Sequence, residues 1–226
     1  REKMHLTESK VKLIMKIGLP AGFQGAIFSV SNVLIQSSIN SFGSIAMAGS
    51  TASANVEGFV YNAMNAVYQT ALSFTSQNYG AGKMNRVTKI LLYCLGLVVM
   101  VGAVMGGGAV LIGPKLLQIY SSDPEVISYG MMRMRIINGS YFLCGIMDTM
   151  VGGLRGLGYS VVPMLVSLTG ACLFRVVWIF SVFAMHRTLT TLYISYPVSW
   201  IITFTAHIIC YIVIRKRIAA RRKPRD

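Results

Sequence analysis

Long apolar runs dominate the chain, and short clusters of glycine, proline, serine and charge separate them. Six runs are long enough for the roughly 20-residue helix that crosses a hydrocarbon core: residues 17–40, 45–78, 87–112, 125–153, 160–185 and 190–214. The breakers read SFGS, YGAGKMNR, GPKLLQIYSSDPE, LRGLGYS and HRTL, composed of the residues that end helices and open turns. No sustained period-two alternation appears, and the runs exceed the roughly 10 residues of a barrel strand. They therefore predict helices: an all-α integral membrane protein built as a six-transmembrane-helix bundle. The pattern divides the chain into a cytoplasmic basic segment at 1–16, a six-helix lobe at 17–214 and a cytoplasmic basic tail at 215–226. Pro20 and Pro197 are expected in the first turns of the first and last helices, where a missing N–H costs least.

Polar residues inside the runs are not scattered. At 100° per residue, Ser50, Ser53, Glu57, Tyr61, Met64, Tyr68 and Thr75 of the second helix lie within about 40° of one another. Val56, Phe59, Val60 and Val67 are expected on the opposite side. A charge at mid-bilayer costs at least about 2.5 kcal/mol, so Glu57 is expected to look onto a cavity. The alternatives are a protonated carboxyl or an ion pair with Arg133 or Arg135. On the first helix Ser29, Asn32, Gln36 and Asn40 cluster within about 80°. These can bind a substrate or a cation's waters, or serve as glue between helices. Asp148 lies near the inner end of the fourth helix, with Gly152 and Arg155 at i+4 and i+7 on its face; it is either an ion site or a lock held by Arg155 or a neighbouring basic loop. Arg175, deep in the fifth helix, is expected to be structural, with a carbonyl or carboxylate partner.

Composition fits a lipid solvent. Hydrophobic residues make up 54% of the chain and charged residues 12%, about half the charge of a soluble domain; mean hydropathy is +0.60. The net charge of +14 could suggest nucleic acid, but its placement does not. With the N-terminus inside, Arg1, Lys3, Lys10, Lys12, Lys16, Lys83, Arg86, Lys89, Arg155 and the run from Arg215 to Arg225 fall on one side. The opposite loops hold Lys115 and Arg187. That asymmetry predicts a multi-pass protein of the inner (plasma) membrane with both termini cytoplasmic, and a tail that meets anionic lipid. No nucleic-acid partner is expected.

The four cysteines, Cys94, Cys144, Cys172 and Cys210, fall within runs and lack CxxC spacing, so they read as small buried residues. His5, His186 and His207 are scattered, and no HExxH or Gly-x-Ser-x-Gly motif is present. No enzyme, cofactor or metal centre is expected. GGLRGLG lacks the Gly-Lys-Ser/Thr ending of a phosphate loop. Glycine pairs at four-residue spacing, Gly18/Gly22, Gly102/Gly106 and Gly152/Gly156, would let helices approach closely. Arg1 is not an initiator Met, so the chain is expected to be a fragment.

At SQNYGAGKMNR (76–86) the chain resembles the multidrug and toxic compound extrusion (MATE) transporters, in which a similar element follows the second helix of each half. GLPAGFQ (18–24), GGLRGLGYSVVPM (152–164) and FRVVWI (174–179) are similar to further stretches of the family's C-terminal six helices, in the same order. The resemblance covers essentially the whole chain. It implies one lobe of a twelve-helix antiporter that exports small cationic or amphipathic drugs, driven by sodium or protons, with the N-terminal lobe as partner. Family acids are partly displaced here: Phe28 and Cys144 stand where some branches carry one, and Asp148 lies one turn after the latter. On this reading Glu57, Asp148, Tyr61, Tyr68, Gln36 and Asn32 form the ion-coupling and substrate-binding set. A carboxylate exchanges a proton or sodium ion for a cationic drug, and tyrosine faces receive a flat cation. Arg155 and Arg175 are structural or belong to the cytoplasmic loop. A lipid-linked sugar flippase, whose cavity would be larger and more basic, and a non-transporting membrane scaffold are the alternatives.

Overall fold

A computed structural model describes residues 8–222, which form α-helices joined by short turns. In chain order these are α1 (Glu8–Asn40), α2 (Ser44–Gly80), α3 (Met84–Leu111), α4 (Gly113–Gln118), α5 (Pro124–Ile137), α6 (Tyr141–Gly156), α7 (Val161–Ser167), α8 (Phe174–Trp178) and α9 (Leu189–Arg222). A 3-10 turn at Asn138–Ser140 joins α5 to α6, and wide π turns at Leu168–Leu173 and Ile179–Phe183 flank α8. The result is six rods, one for each apolar run. Arg1, Lys3, His5, Lys223 and Arg225, and the side chains of Arg221 and Arg222, lie outside the described residues.

Both prolines sit differently from expectation. α1 already includes Glu8, ahead of the apolar boundary, and Glu8 pairs with Lys12 one turn on at 2.6 Å. Pro20 is therefore interior to α1, and Pro197 is interior to α9, which begins at Leu189. Charged residues at the membrane surface continue the helix, and a carbonyl freed by proline can be satisfied locally in a membrane bundle.

The rods Glu8–Asn40, Met84–Leu111, Val161–Phe183 and Leu189–Ala220 are each long and apolar enough to cross a membrane. The remaining two are special. α2 carries the polar stripe, and α5 and α6, with 14 and 16 residues, each fall short of a full span. These are the rods at the centre of the bundle, where α2 packs most extensively against α6, α3 and α5. Large apolar side chains such as Val33, Leu92, Val104 and Phe180 remain exposed on the outer rods, a surface suited to lipid and not to water.

Turn chemistry explains two of the glycines in the breakers. α2 ends with Gly82 at φ 76°, where Gly82 N donates to Tyr79 O at 3.0 Å and Lys83 N to Asn78 O at 2.9 Å. α6 ends the same way: Gly158 has φ 85°, its N donates to Arg155 O at 2.8 Å, and Tyr159 N donates to Leu154 O at 3.1 Å. Both are Schellman caps, which need a left-handed residue that glycine adopts without a Cβ clash. At the other end of the central rods, Asp123 caps α5 by accepting from Glu125 N at 2.8 Å, with Pro124 in the first turn.

Close helix approach accounts for two of the three glycine pairs. A Cβ on Gly102 would lie 2.8 Å from Phe142 Cα, and one on Gly106 would strike the Asn138 carbonyl; Gly152 and Gly156 face Tyr68 O at 2.8 Å and Thr75 Cβ at 2.6 Å. So α3 and α2 press their backbones against α6 and the 3-10 turn. Gly18 and Gly22 have no such neighbour within 4 Å among the described residues. The expected outer side of α2 also divides: Val56, Val60 and Val67 are buried in the bundle and only Phe59 is exposed. α2 is enclosed by neighbours on more than one side, so apolar packing occupies part of the arc that a two-faced helix would give to lipid.

Candidate functional site

The polar stripe of α2 does not present a free carboxylate. Arg133 of α5 meets Glu57 with two parallel hydrogen bonds, Nε to Oε1 at 2.7 Å and Nη2 to Oε2 at 2.8 Å. Its Nη1 donates to Ser50 Oγ at 2.8 Å, and Ser53 Oγ donates to Glu57 Oε1 at 3.1 Å. Ser50, Ser53, Glu57 and Arg133 are all buried. The stripe thus supplies the acid, one hydroxyl that accepts from the arginine and one that donates to the acid, as a charge pair out of water requires. The Arg133 guanidinium also stands 5.7 Å from the Tyr193 ring centre and 6.0 Å from that of Tyr196. Of the two arginines weighed as partners, Arg133 is the one paired.

Glu57 also stands in the wall of a cavity of about 480 Å³ between α1, α2, α5, α6, α8 and α9. Among the residues expected to act together, Asn32, Glu57, Tyr61, Tyr68 and Asp148 line it, and so do Arg155 and Arg175, which were expected to be structural or to belong to the cytoplasmic loop. Gln36 does not; its side chain donates to Asn40 Oδ1 on its own helix at 3.0 Å. One turn further along α1 the stripe has rotated away from the cavity, so Gln36 satisfies itself locally.

Asp148 is the acid without a fixed partner. Its carboxylate makes no hydrogen bond and no ion pair among the described residues. Arg155, expected as its lock, is engaged elsewhere: Nη1 donates to Tyr68 Oη at 2.7 Å and Nη2 to Gln24 Oε1 at 2.8 Å. Gly152 makes this possible by letting α2 approach until the Tyr68 hydroxyl reaches Arg155. The arginine thereby ties α1, α2 and α6 together, assisted by Ser160 Oγ donating to Ile17 O at 2.9 Å.

Arg175 departs from expectation, because neither a carbonyl nor a carboxylate among the described residues meets it. Nε donates to Ser199 Oγ at 2.9 Å, and the guanidinium carbon stands 4.1 Å from the Tyr196 ring centre and 5.8 Å from that of Trp200. Stacking on an aromatic face replaces an anion as the arginine's main neighbour. Tyr196, Ser199 and Trp200 were missed in the sequence, as were Tyr141 and Gln24. The spacing of Tyr196 and Trp200, i and i+4 on one helix face, was the available signal. Together the lining combines one unpaired carboxylate, two arginines bonded only to neutral groups, and a wall of Tyr61, Tyr68, Tyr141, Tyr196 and Trp200. Such a surface can hold an amphipathic or aromatic guest by its body and by charge.

Comparison with known proteins agrees with this architecture. The family model described as MatE matches residues 20–181. The chain is 24% identical over 159 residues to the probable multidrug resistance protein NorM of Thermotoga maritima, covering 70% of this chain and 34% of that protein. It superimposes on the Vibrio cholerae MATE transporter VcmN in its bent form with a TM-score of 0.83 at 20% identity, over 94% of this chain and 48% of that one. For a MOP superfamily transporter from Pyrococcus furiosus the TM-score is 0.82 at 16% identity, over 97% and 49%. The chain therefore spans about a third of that curated relative's length and about half of each of these structures.

Proposed function

We propose, from the premise that this chain belongs to the MatE family, that it serves as the C-terminal lobe of a cation-coupled multidrug efflux antiporter. In this reading it works with an N-terminal lobe of the same transporter in the inner membrane, with both ends of the chain facing the cytoplasm. Sodium ions or protons move one way and amphipathic drugs the other. The observation that carries the reading is Asp148: a carboxylate lining a 480 Å³ aromatic cavity inside a membrane bundle, without a bonded partner among the described residues. Such a group can take up a proton or a sodium ion and release it when a drug arrives.

Glu57 has a different part in this reading. Its bidentate pair with Arg133 makes it a fixed strut beside the cavity, and ion exchange falls to Asp148. Tyr61 and Tyr68 supply drug-facing area from α2, and Asn32 a polar contact from α1. The experiment is drug resistance in cells that express the full-length protein. Asp148→Asn is expected to abolish resistance without loss of membrane-inserted protein. Resistance equal to the parent's would remove Asp148 from the coupling step.

A second reading, a lipid-linked sugar flippase, draws support from Arg155 and Arg175, which both line the cavity. It expects scrambling of a pyrophosphate-linked lipid and no drug resistance.

A further inference from the structure

We propose that the Nη edge of Arg175 is a binding subsite for the carboxylate or phosphate of an organic anion with an aromatic or apolar body. The proposal rests on reading this cavity as a substrate path, and it narrows the class of substrate that the path admits.

Three arginines, Arg133 and Arg175 buried and Arg155 half-buried, are used differently. Arg133 spends all three of its nitrogens, two on the Glu57 carboxylate and one on Ser50. Arg155 spends both Nη atoms on Tyr68 and Gln24. Arg175 spends only Nε, on Ser199. Its two Nη nitrogens make no hydrogen bond among the described residues, although the residue is only 4% exposed and lines the cavity. Unlike Arg155 Nε, which is sealed without a partner among the described residues, the Arg175 fork opens onto the cavity, where a ligand can reach it. That edge matches a carboxylate or phosphate with two parallel N–H donors.

The charge balance of the cavity points the same way. Glu57 and Arg133 neutralise each other, which leaves Asp148 against Arg155 and Arg175. The two arginines are bonded to neutral groups, so the lining carries an excess of positive charge. Tyr196 covers the arginine's face, while Trp200 and Tyr141 stand beside the cavity as surfaces for a ring or chain attached to the anion. The backbone is shaped around this point too. Arg175 lies in the five-residue α8 between two π turns, and π turns inside helices are frequent at functional sites. Tyr196 and Ser199 fix the guanidinium from one side and leave the fork available.

The test is equilibrium binding of tritiated naphthylacetate to the purified full-length protein in phosphatidylcholine nanodiscs, with naphthylacetamide and naphthylmethylammonium as competitors. The acetate is expected to bind roughly tenfold more tightly than the amide, the size of one charge-assisted hydrogen bond. Arg175→Gln is expected to bring the two to parity. Arg175→Lys, which keeps the charge and loses the fork, is expected to fall between and serves where the Gln variant fails to fold. Tighter binding of the ammonium, or an unchanged acetate preference in either variant, overturns the proposal. Displacement of the probe by phosphatidylglycerol identifies a lipid head group as the source of the anion; persistence identifies a soluble one, and both keep the site. Ion-coupled export of cationic drugs with no acetate preference contradicts this subsite alone. An acetate preference without coupled export leaves the subsite standing and contradicts the antiport reading.

Discussion

Glu57 and Arg133 face each other side-on in the middle of the bundle, with both carboxylate oxygens taken by one guanidinium at 2.7 and 2.8 Å. The pair joins α2 to α5; Arg133 also donates to Ser50 Oγ, and Ser53 Oγ donates to Glu57. Glu57→Gln leaves a buried arginine uncompensated and is expected to destabilise the bundle by about 3 kcal/mol. The double variant Glu57→Gln, Arg133→Met is expected to recover most of that loss. Thermal unfolding of the three proteins in one detergent checks this; equal melting of the single and double variants counts against a buried pair.

The α2–α6 crossing should be intolerant of one methyl group. Gly152→Ala and Gly156→Ala place a Cβ against Tyr68 O and the Thr75 side chain, and each is expected to cost about 1–3 kcal/mol. Gly18→Ala and Gly22→Ala meet nothing within 4 Å and should be neutral or slightly stabilising. The fraction of protein that stays monodisperse after heating separates the two groups.

Arg155 should hold α1 to the lobe. Its bond to Gln24 and the Ser160–Ile17 bond are polar anchors of a helix whose buried residues are confined to Ser31, Ile35 and Ile39. Arg155→Met removes two charged hydrogen bonds, each worth about 1.5–3 kcal/mol. Maleimide labelling of Ala21→Cys is expected to accelerate in that background, while labelling of a cysteine placed on α3 stays unchanged. Equal rates at Ala21→Cys with and without Arg155 would show that the arginine is not an anchor.

Orientation can be read with a membrane-impermeant maleimide. Lys83→Cys is expected to react only after the cell membrane is opened, and Arg187→Cys in intact cells, following the bias of basic residues to the cytoplasmic side. The reverse pattern inverts the topology.

Much of this architecture was legible in the residues themselves, because membrane helices announce their length and the cost of charge in lipid restricts where acids can go. The depth of Glu57 and Arg133 along their helices already made them possible partners, and Glu57, Tyr61 and Tyr68 of the α2 stripe marked part of the cavity wall, while Met64 and Thr75 of the same stripe pack against neighbouring helices. What was hidden depended on contacts between rods. Arg175 meets Ser199 and Tyr196 from α9, a pairing that no spacing within its own helix encodes. Arg155 turned to Tyr68 and Gln24 and not to Asp148, because Gly152 brings α2 close. Gln36 left the cavity through a rotation of one turn. The start of α1 was hidden for another reason: its surface segment is charged, so hydropathy ends before the helix does.

Purified full-length protein in proteoliposomes loaded with a fluorescent amphipathic drug tests the central claim most directly. An inward-directed sodium or proton gradient should drive drug efflux in the parent and in Glu57→Gln vesicles that retain folded protein. It should fail to do so in Asp148→Asn, where drug movement follows only its own gradient. Gradient-driven efflux that survives in Asp148→Asn, or is lost in Glu57→Gln alone, would contradict the assignment of ion exchange to Asp148.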